Sequence, residues 1–275
     1  MKIQIPEYIN FNDAEQCILT IRIHKNGYSF SVYNPLVNAS YFYHIVEFGK
    51  QTSAFSSFQD AFFDNDFFTL TYRQVYVINY THTFTYVPSL IFEDSDKETY
   101  INFLFMEKAG KTLYHKIKNQ EIIVIHKMEE EVYDFFMRSF PDVRIIHHTA
   151  PLIAYFRSKQ QIVNRNRLII NLQQTEMDVL CFSQETFLLG NHYVCNNLMD
   201  IVYHILFIWK QMKFNQLNDF LYIAGGFESK KPLIDNLKIY IQNIIPANII
   251  PEAHFERIDV RAIPFEITCL SLCEL

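Results

Sequence analysis

Two separate stretches of the chain begin with the same pattern, three short segments in which apolar and polar residues alternate. Alternation with a period of two predicts strands that bury one face, and the short turns between the segments predict antiparallel neighbours. In the first stretch, Asn26 and Gly27 form an Asn-Gly step, a strong hairpin signal because both residues tolerate positive φ. The strands predicted in this way are 17–24, 28–34 and 41–48 in the first stretch, and 167–174, 176–183 and 185–194 in the second.

Each triplet of strands is followed by a predicted helix and then by a fourth strand. In the first half the helix is 53–63 and the strand is 74–80; in the second half they are 197–214 and 220–224, and a further helix covers 231–243. The segment between the halves contains a predicted strand pair at 112–118 and 121–127, a helix at 128–139 and a strand at 143–148.

Three antiparallel strands, a helix, a strand and a helix make up the order of a ribonuclease H-like half, and this order occurs twice. The sequence therefore predicts an α/β protein with mixed sheets and two lobes, 1–160 and 161–275. A small α+β segment is predicted to be inserted in the first lobe, at about 84–127.

The composition is that of a globular protein with an unusual shortage of glycine. Hydrophobic residues make up 49% and charged residues 20% of the chain, which contains 26 Phe and 17 Tyr but only 6 Gly. Average usage is roughly 7% glycine. So few glycines argue against a fold whose chemistry depends on a glycine-rich phosphate loop.

Charge and hydropathy limit the partners and the compartment. The net charge is −6 and no basic cluster exceeds Lys230-Lys231, whereas a nucleic-acid groove needs concentrated positive charge. The N-terminus lacks a signal-peptide core, and the apolar segment 199–209 is too short to span a bilayer. The five cysteines form no CxxC pair. We therefore expect a cytoplasmic protein with reduced thiols, no membrane insertion and no nucleic-acid partner.

The stretch Leu221-Tyr222-Ile223-Ala224-Gly225-Gly226 is an apolar run that ends in the only adjacent glycine pair of the chain. With the duplicated element order, it makes the chain resemble the actin-like ATPase superfamily, in which such a Gly-Gly strand end lets adenosine lie against bare backbone. The resemblance is greatest to a bacterial family of unknown function within that superfamily. It is more distant to the actin-like subunits of type IV pilus and type II secretion machines. It implies that Gly225 and Gly226 are the candidate adenosine motif.

The same resemblance implies two Asp-x-Gly hairpins that would position magnesium and phosphate, and both depart from that pattern here. In the first hairpin His24 replaces the Asp and Asn26 replaces the Gly; in the second, Asn171 and Gln173 replace them. A neutral amide does not offset magnesium charge as a carboxylate does, and the Gln173 side chain would occupy space that a phosphate needs. The resemblance therefore implies a degenerate phosphate site, no resident cofactor and no ATP hydrolysis.

Other candidate sites have ordinary structural explanations. Glu176 and Asp178 share a strand face and are expected on the exposed side of a hairpin. His147 and His148 are adjacent on a predicted strand, so they should point to opposite faces and not ligate one metal ion. Asn197 and Asp200 have the spacing of a helix N-cap and its third residue. We predict neither a catalytic residue nor a metal site.

The region 87–92 is apolar although it lies outside the repeated elements, and Tyr100, Phe103, Leu104 and Phe105 follow it. It is interpreted either as a helix packed on the first lobe or as a surface for a protein partner. The function expected from the sequence is a non-catalytic actin-like scaffold, with oligomerisation possible. The alternative is an active actin-like ATP-binding protein or small-molecule kinase, which needs a replacement magnesium carboxylate such as Asp178 or Asp200.

Overall fold

The structure, a computed structural model, describes residues 2–24, 27–47, 54–106, 109–117, 120–158, 165–173, 175–225, 230–247, 255–256 and 258–273. Its contacts divide the chain into two compact units. The first unit comprises 1–117, 121–150 and 250–260, and the second comprises 118–120, 151–249 and 261–275. The lobe boundary expected between 160 and 161 remains a prediction.

The first unit contains a five-stranded mixed sheet in the order β3-β2-β1-β4-β8. β1 pairs antiparallel with β2, which pairs antiparallel with β3, while β1, β4 and β8 run parallel. The elements of this sheet and its helices are β1 (Ile18–His24), β2 (Gly27–Tyr33), β3 (Phe42–Glu47), α1 (Ala54–Asp64), β4 (Gln74–Asn79), α3 (Glu130–Ser139) and β8 (Arg144–His147).

The second unit repeats this topology, with a sheet in the order β11-β10-β9-β12-β13. Again the first three strands of the repeat are antiparallel and the remaining pairings are parallel. The elements are α4 (Thr149–Ser158, its first two residues in the first unit), β9 (Asn166–Gln173), β10 (Glu176–Ser183), β11 (Thr186–Val194), α5 (Leu198–Gln211), β12 (Phe220–Gly225), α6 (Lys230–Leu237), β13 (Asn243–Pro246) and α7 (Phe265–Ser271). The predicted duplication of a ribonuclease H-like half is therefore present.

A separate three-stranded antiparallel sheet, in the order β5-β7-β6, is inserted between β4 and α3. Its elements are β5 (Phe84–Pro88), α2 (Lys97–Leu104), β6 (Lys111–Lys116) and β7 (Ile122–Met128). Val87, Ile101, Ile123 and Ile125 form its own small apolar core. The insert accordingly has the α+β character that the sequence predicts.

Helices pack against each five-stranded sheet. In the first unit the core is mostly aromatic: the Phe58 ring lies within 5.4 Å, centroid to centroid, of Phe68 and Phe136. In the second unit Leu168, Ile170 and Leu172 pack against α5 and α6, and on the opposite face Phe156 of α4 contacts Tyr222 and Phe265. This second face carries the candidate site. Among the described helices, none is long and apolar enough to cross a membrane.

The sequence prediction errs at the end of the second unit. The helix predicted over 231–243 ends at Leu237, and Asn243 begins a strand instead. Helices α4 and α7 were also missed, since each is short and neither has a long periodic apolar pattern.

A row of histidines with buried ring nitrogens joins the inserted sheet to the first-unit sheet. The ring centroids of His115 and His126 are 5.8 Å apart, and those of His126 and His147 are 5.4 Å apart. His126 Nδ1 accepts a 2.8 Å hydrogen bond from the side-chain amide of Asn79, which requires an uncharged ring. Burial lowers the pKa of His115 to about 4, and it holds the pKa of His126 and His147 well below the usual 6.5, with the neighbouring histidines including His148 adding to the effect.

These histidines predict an acid-sensitive fold. Between the unfolded pKa of 6.5 and the folded pKa of about 4 for His115, the unfolded chain binds more protons, so stability falls as pH falls through this range. For His115 alone the loss approaches about 3 kcal/mol near pH 4. We expect the urea midpoint to fall steeply between about pH 6.5 and pH 4, and less steeply in His115→Leu.

The matched control is His82→Gln, because His82 is an exposed histidine of the same unit. An unchanged pH dependence in His115→Leu would show that burial of this imidazole does not cause the acid sensitivity.

Candidate functional site

Gly225 ends β12 in a conformation that only glycine fits. Its φ is +90°, and a Cβ atom built there would lie 2.0 Å from the backbone oxygen of Leu172 on the neighbouring strand β9. Both the dihedral and the contact exclude a side chain, whether or not a ligand is bound. This glycine is therefore fully accounted for by the close approach of β12 to β9.

Beside this close approach, a row of polar residues crosses the second-unit sheet. Ala224 of β12 pairs with Asn171 of β9, which pairs on its other side with Asp178 of β10. Asp178 in turn pairs with His192 of β11. Because directly paired residues point to the same face, Asn171, Asp178 and His192 lie side by side on the face opposite Leu172.

Hydrogen bonds connect these three side chains. Asn171 Nδ2 donates to Asp178 Oδ2 at 3.3 Å, and Asp178 Oδ1 lies 2.8 Å from His192 Nδ1. Asp178 is only 1% exposed, so the expectation that it lies on the outer side of a hairpin is wrong. Asn171 Oδ1 is buried without a hydrogen-bond partner among the described residues. Asn171, where the sequence resemblance leads one to expect an acid, thus supplies an amide, and the nearest carboxylate in this row, that of Asp178, lies one strand away.

Gln173, the last residue of β9, points to an acid on α7. Its Nε2 donates to Glu266 Oε1 at 3.3 Å, and Glu266 has no exposed surface. Sequence analysis missed Glu266, because 93 residues separate it from Gln173 and no local motif marks it. A buried carboxylate therefore lies next to the hairpin position that would receive a phosphate.

The remaining predicted positions are only partly described. His24 is the last residue of β1 and pairs with Gly27 in the first unit, whereas Asn171, Gln173 and Gly225 belong to the second unit. Asn26 and Gly226 lie outside the described residues. The structure therefore brings together three of the six candidate residues.

Two other sequence expectations have clear outcomes. His147 and His148 do not point apart: β8 ends at His147, so the strand alternation does not reach His148, and the two rings lie 4.1 Å apart. Both nitrogens of His147 form hydrogen bonds, to Thr149 Oγ1 at 2.8 Å and to the Thr81 oxygen at 3.1 Å. The predicted cap of α5 is confirmed, since Asn197 Oδ1 accepts from the Asp200 N–H at 3.0 Å.

The repeated five-stranded sheets, the insert after β4 and the glycine at the end of β12 define an actin-like ATPase fold. Within that class, the chain belongs to the family described as Protein of unknown function (DUF3822), whose profile matches residues 6–244. No protein of curated function matches the sequence.

The chain is also similar to solved structures, to different degrees. A Bacteroides thetaiotaomicron protein with an actin-like ATPase fold and unknown function is 26% identical, with a TM-score of 0.82 over 97% of this chain and 99% of that chain. The PilM-PilN type IV pilus biogenesis complex gives 10% identity and a TM-score of 0.53 over 93% and 96%. The cytoplasmic domain of EpsL, from the type II secretion system of Vibrio cholerae, gives 11% and 0.39 over 85% and 90%.

The close approach at Gly225 predicts a large effect of a single methyl group. We expect Gly225→Ala to lower the free energy of unfolding by about 3 kcal/mol or more, because the strand end must move away from Leu172. The measurement is urea denaturation without ligand.

Gly190→Ala is the control, since Gly190 lies on β11 of the same sheet and has no positive φ. A small effect of Gly225→Ala, similar to that of the control, would mean that β12 and β9 are not held this close.

Proposed function

We propose that this protein is an actin-like domain without ATPase activity, which serves as a scaffold in a protein assembly. The observation that carries the proposal is the contact of Gln173 with the buried carboxylate of Glu266. A nucleotide phosphate at this hairpin would displace the Gln173 amide and face a negative charge. Two unit charges of the same sign 4 Å apart repel by about 4 kcal/mol at an effective dielectric of about 20.

The residues at the expected magnesium position also support the absence of ATPase activity. Magnesium in nucleotide sites is held by carboxylates together with phosphate oxygens, and Asn171 supplies an amide instead. The neighbouring carboxylate, Asp178, already bonds to His192 and Asn171. In this proposal these three groups stabilise the sheet and do not hold a cofactor.

The scaffold role is supported by a surface and by a structural relative. Leu90 and Phe103 of the insert are 95% and 87% exposed, which is unusual for large apolar side chains. The fold is also that of PilM, which was solved together with PilN in a type IV pilus biogenesis complex. We therefore propose that the partners are proteins, which the chain contacts while inside the cell.

One observation favours the alternative, an active ATP-binding protein or kinase. Asp178 is a buried carboxylate 3.3 Å from the Asn171 amide, where it could replace the missing acid as a magnesium ligand. Asp200, the other candidate, belongs to the cap of α5, where its Oδ2 accepts from the Asn196 N–H and its own N–H donates to Asn197.

Thermal unfolding with and without Mg-ATP separates the two functions. A ligand at 100 times its dissociation constant adds about 2.7 kcal/mol of stability. We expect no shift of the melting temperature at about 5 mM Mg-ATP, a concentration at which even a dissociation constant near 50 µM would give that full stabilisation.

A shift in the wild-type protein that is lost in Asp178→Asn would contradict the proposal and support the ATP-binding alternative. Glu185→Gln is the matched control, because Glu185 is an exposed acid in the turn after β10.

A further inference from the structure

The insert carries a cluster of exposed apolar side chains, which we call the α2 patch: Leu90, Ile91, Phe103, Leu104 and Met106. Met106 and Leu90 are almost fully exposed, at 101% and 95%, and Ile91, Phe103 and Leu104 are each more than half exposed. Burying one such side chain is worth about 1.5–3 kcal/mol. The patch is therefore a strong candidate for a surface that another molecule covers.

The residues of the patch lie on one side of the insert. Tyr100, Phe103 and Leu104 are spaced i, i+3 and i+4, so they share a face of α2. The Tyr100 hydroxyl donates a 2.9 Å hydrogen bond to the Ile91 oxygen, which ties the short 3-10 turn Ser89–Ile91 to that face. Phe103 and Leu104 thus extend the surface that begins at Ile91.

The patch is not an unfinished core of the insert. Ile101, which follows Tyr100 on α2, is fully buried and packs with Val87, Ile123 and Ile125. Phe92 closes the edge of this core by packing its ring 4.7 Å from Tyr114. The insert therefore has its own core beneath α2, and the α2 patch remains outside it.

An acidic segment borders the patch. Between residues 93 and 98 the chain has four exposed carboxylates and one lysine, in the sequence Glu-Asp-Ser-Asp-Lys-Glu. Lys97 pairs with Asp94 at 2.9 Å, and Lys127 pairs with Glu98 at 3.3 Å. In the part of the chain that the structure describes, Glu93 and Asp96 have no ion pair. The border of the patch thus has an excess of negative charge.

We propose that the α2 patch binds an amphipathic helix of a partner protein, with apolar residues on one face and Lys or Arg beside them. The apolar face would cover Phe103 and Leu90, and the basic residues would neutralise Glu93 and Asp96. A helix fits because the patch offers apolar side chains from α2 and a 3-10 turn, and these residues present no strand edge to which an extended peptide could add a strand.

The charge selects this partner over others. A second copy of the chain also carries a net charge of −6, and it would bring further negative charge to the acidic border. An anionic membrane or a nucleic acid would be repelled in the same way. The inference deepens the scaffold function and rests on it, but it does not depend on the state of the nucleotide site.

Fluorescence anisotropy with designed peptides tests the proposal. The probe is a labelled 18-residue peptide, a length of about five turns, with Leu at i, i+3, i+4 and i+7 positions and Lys beside that face. One control peptide has the same composition in scrambled order, and another has every Lys replaced by Glu. We expect the probe to bind at least ten times more tightly than either control, with an affinity that falls as salt increases.

Variants then locate the binding surface. Phe103→Ser should weaken binding at least tenfold, whereas Phe63→Ser, which changes a 74% exposed Phe on α1, should not. Combined Glu93→Gln and Asp96→Asn should weaken binding and reduce its salt dependence. Circular dichroism of each variant confirms that it is folded.

Absence of binding, equal binding of the scrambled or acidic peptide, or equal loss in Phe63→Ser would each overturn the assignment of the patch. None of these results would change the Mg-ATP measurement, so a failure here is distinguishable from a failure of the proposed function.

Discussion

The contact between Gly225 and the backbone of Leu172 is the constraint on which the geometry of the second unit depends. A Cβ atom at Gly225 would meet the Leu172 oxygen at 2.0 Å, so β12 reaches β9 this closely only with glycine. The parallel pairing of these two strands sets Ala224 opposite Asn171 and thereby fixes where the polar row begins. The glycine that the sequence resemblance assigns to a nucleotide motif is thus required by the sheet itself, and its presence alone is no argument for a ligand.

The polar row follows from register as much as from residue identity. Counted from the turn, where Ser183 pairs with Thr186, Asp178 would stand opposite Asn191. A bulge between Cys181 and Phe182 shifts the pairing by one residue and sets His192 opposite Asp178 instead. Since a shift of one residue exchanges the two faces of a strand, the bulge decides that an imidazole and not an amide meets this buried carboxylate.

This dependence on register explains how much the sequence could predict. Alternation and turns were sufficient for the duplicated strand order, and the departures at Asn171 and Gln173 were visible from the residues alone. The bulge has no local signal, so the bond between Asp178 and His192 was not foreseen and Asp178 was expected to be exposed. Glu266 was missed because it lies on a seven-residue helix whose contact with Gln173 depends on the tertiary fold.

The polar row of the second unit and the α2 patch of the insert differ in what another molecule would gain by binding there. Around Asn171 and Gln173 a ligand would have to break the Gln173–Glu266 and Asp178–His192 contacts before it gained contacts of its own. On the α2 patch the opposite holds, since Leu90 and Phe103 contribute little to folding while they remain exposed. A partner that binds at the insert would therefore bury exposed apolar surface without first breaking these bonds, whereas a ligand in the second unit would have to break them. That difference is the physical reason to look for a protein partner before a nucleotide.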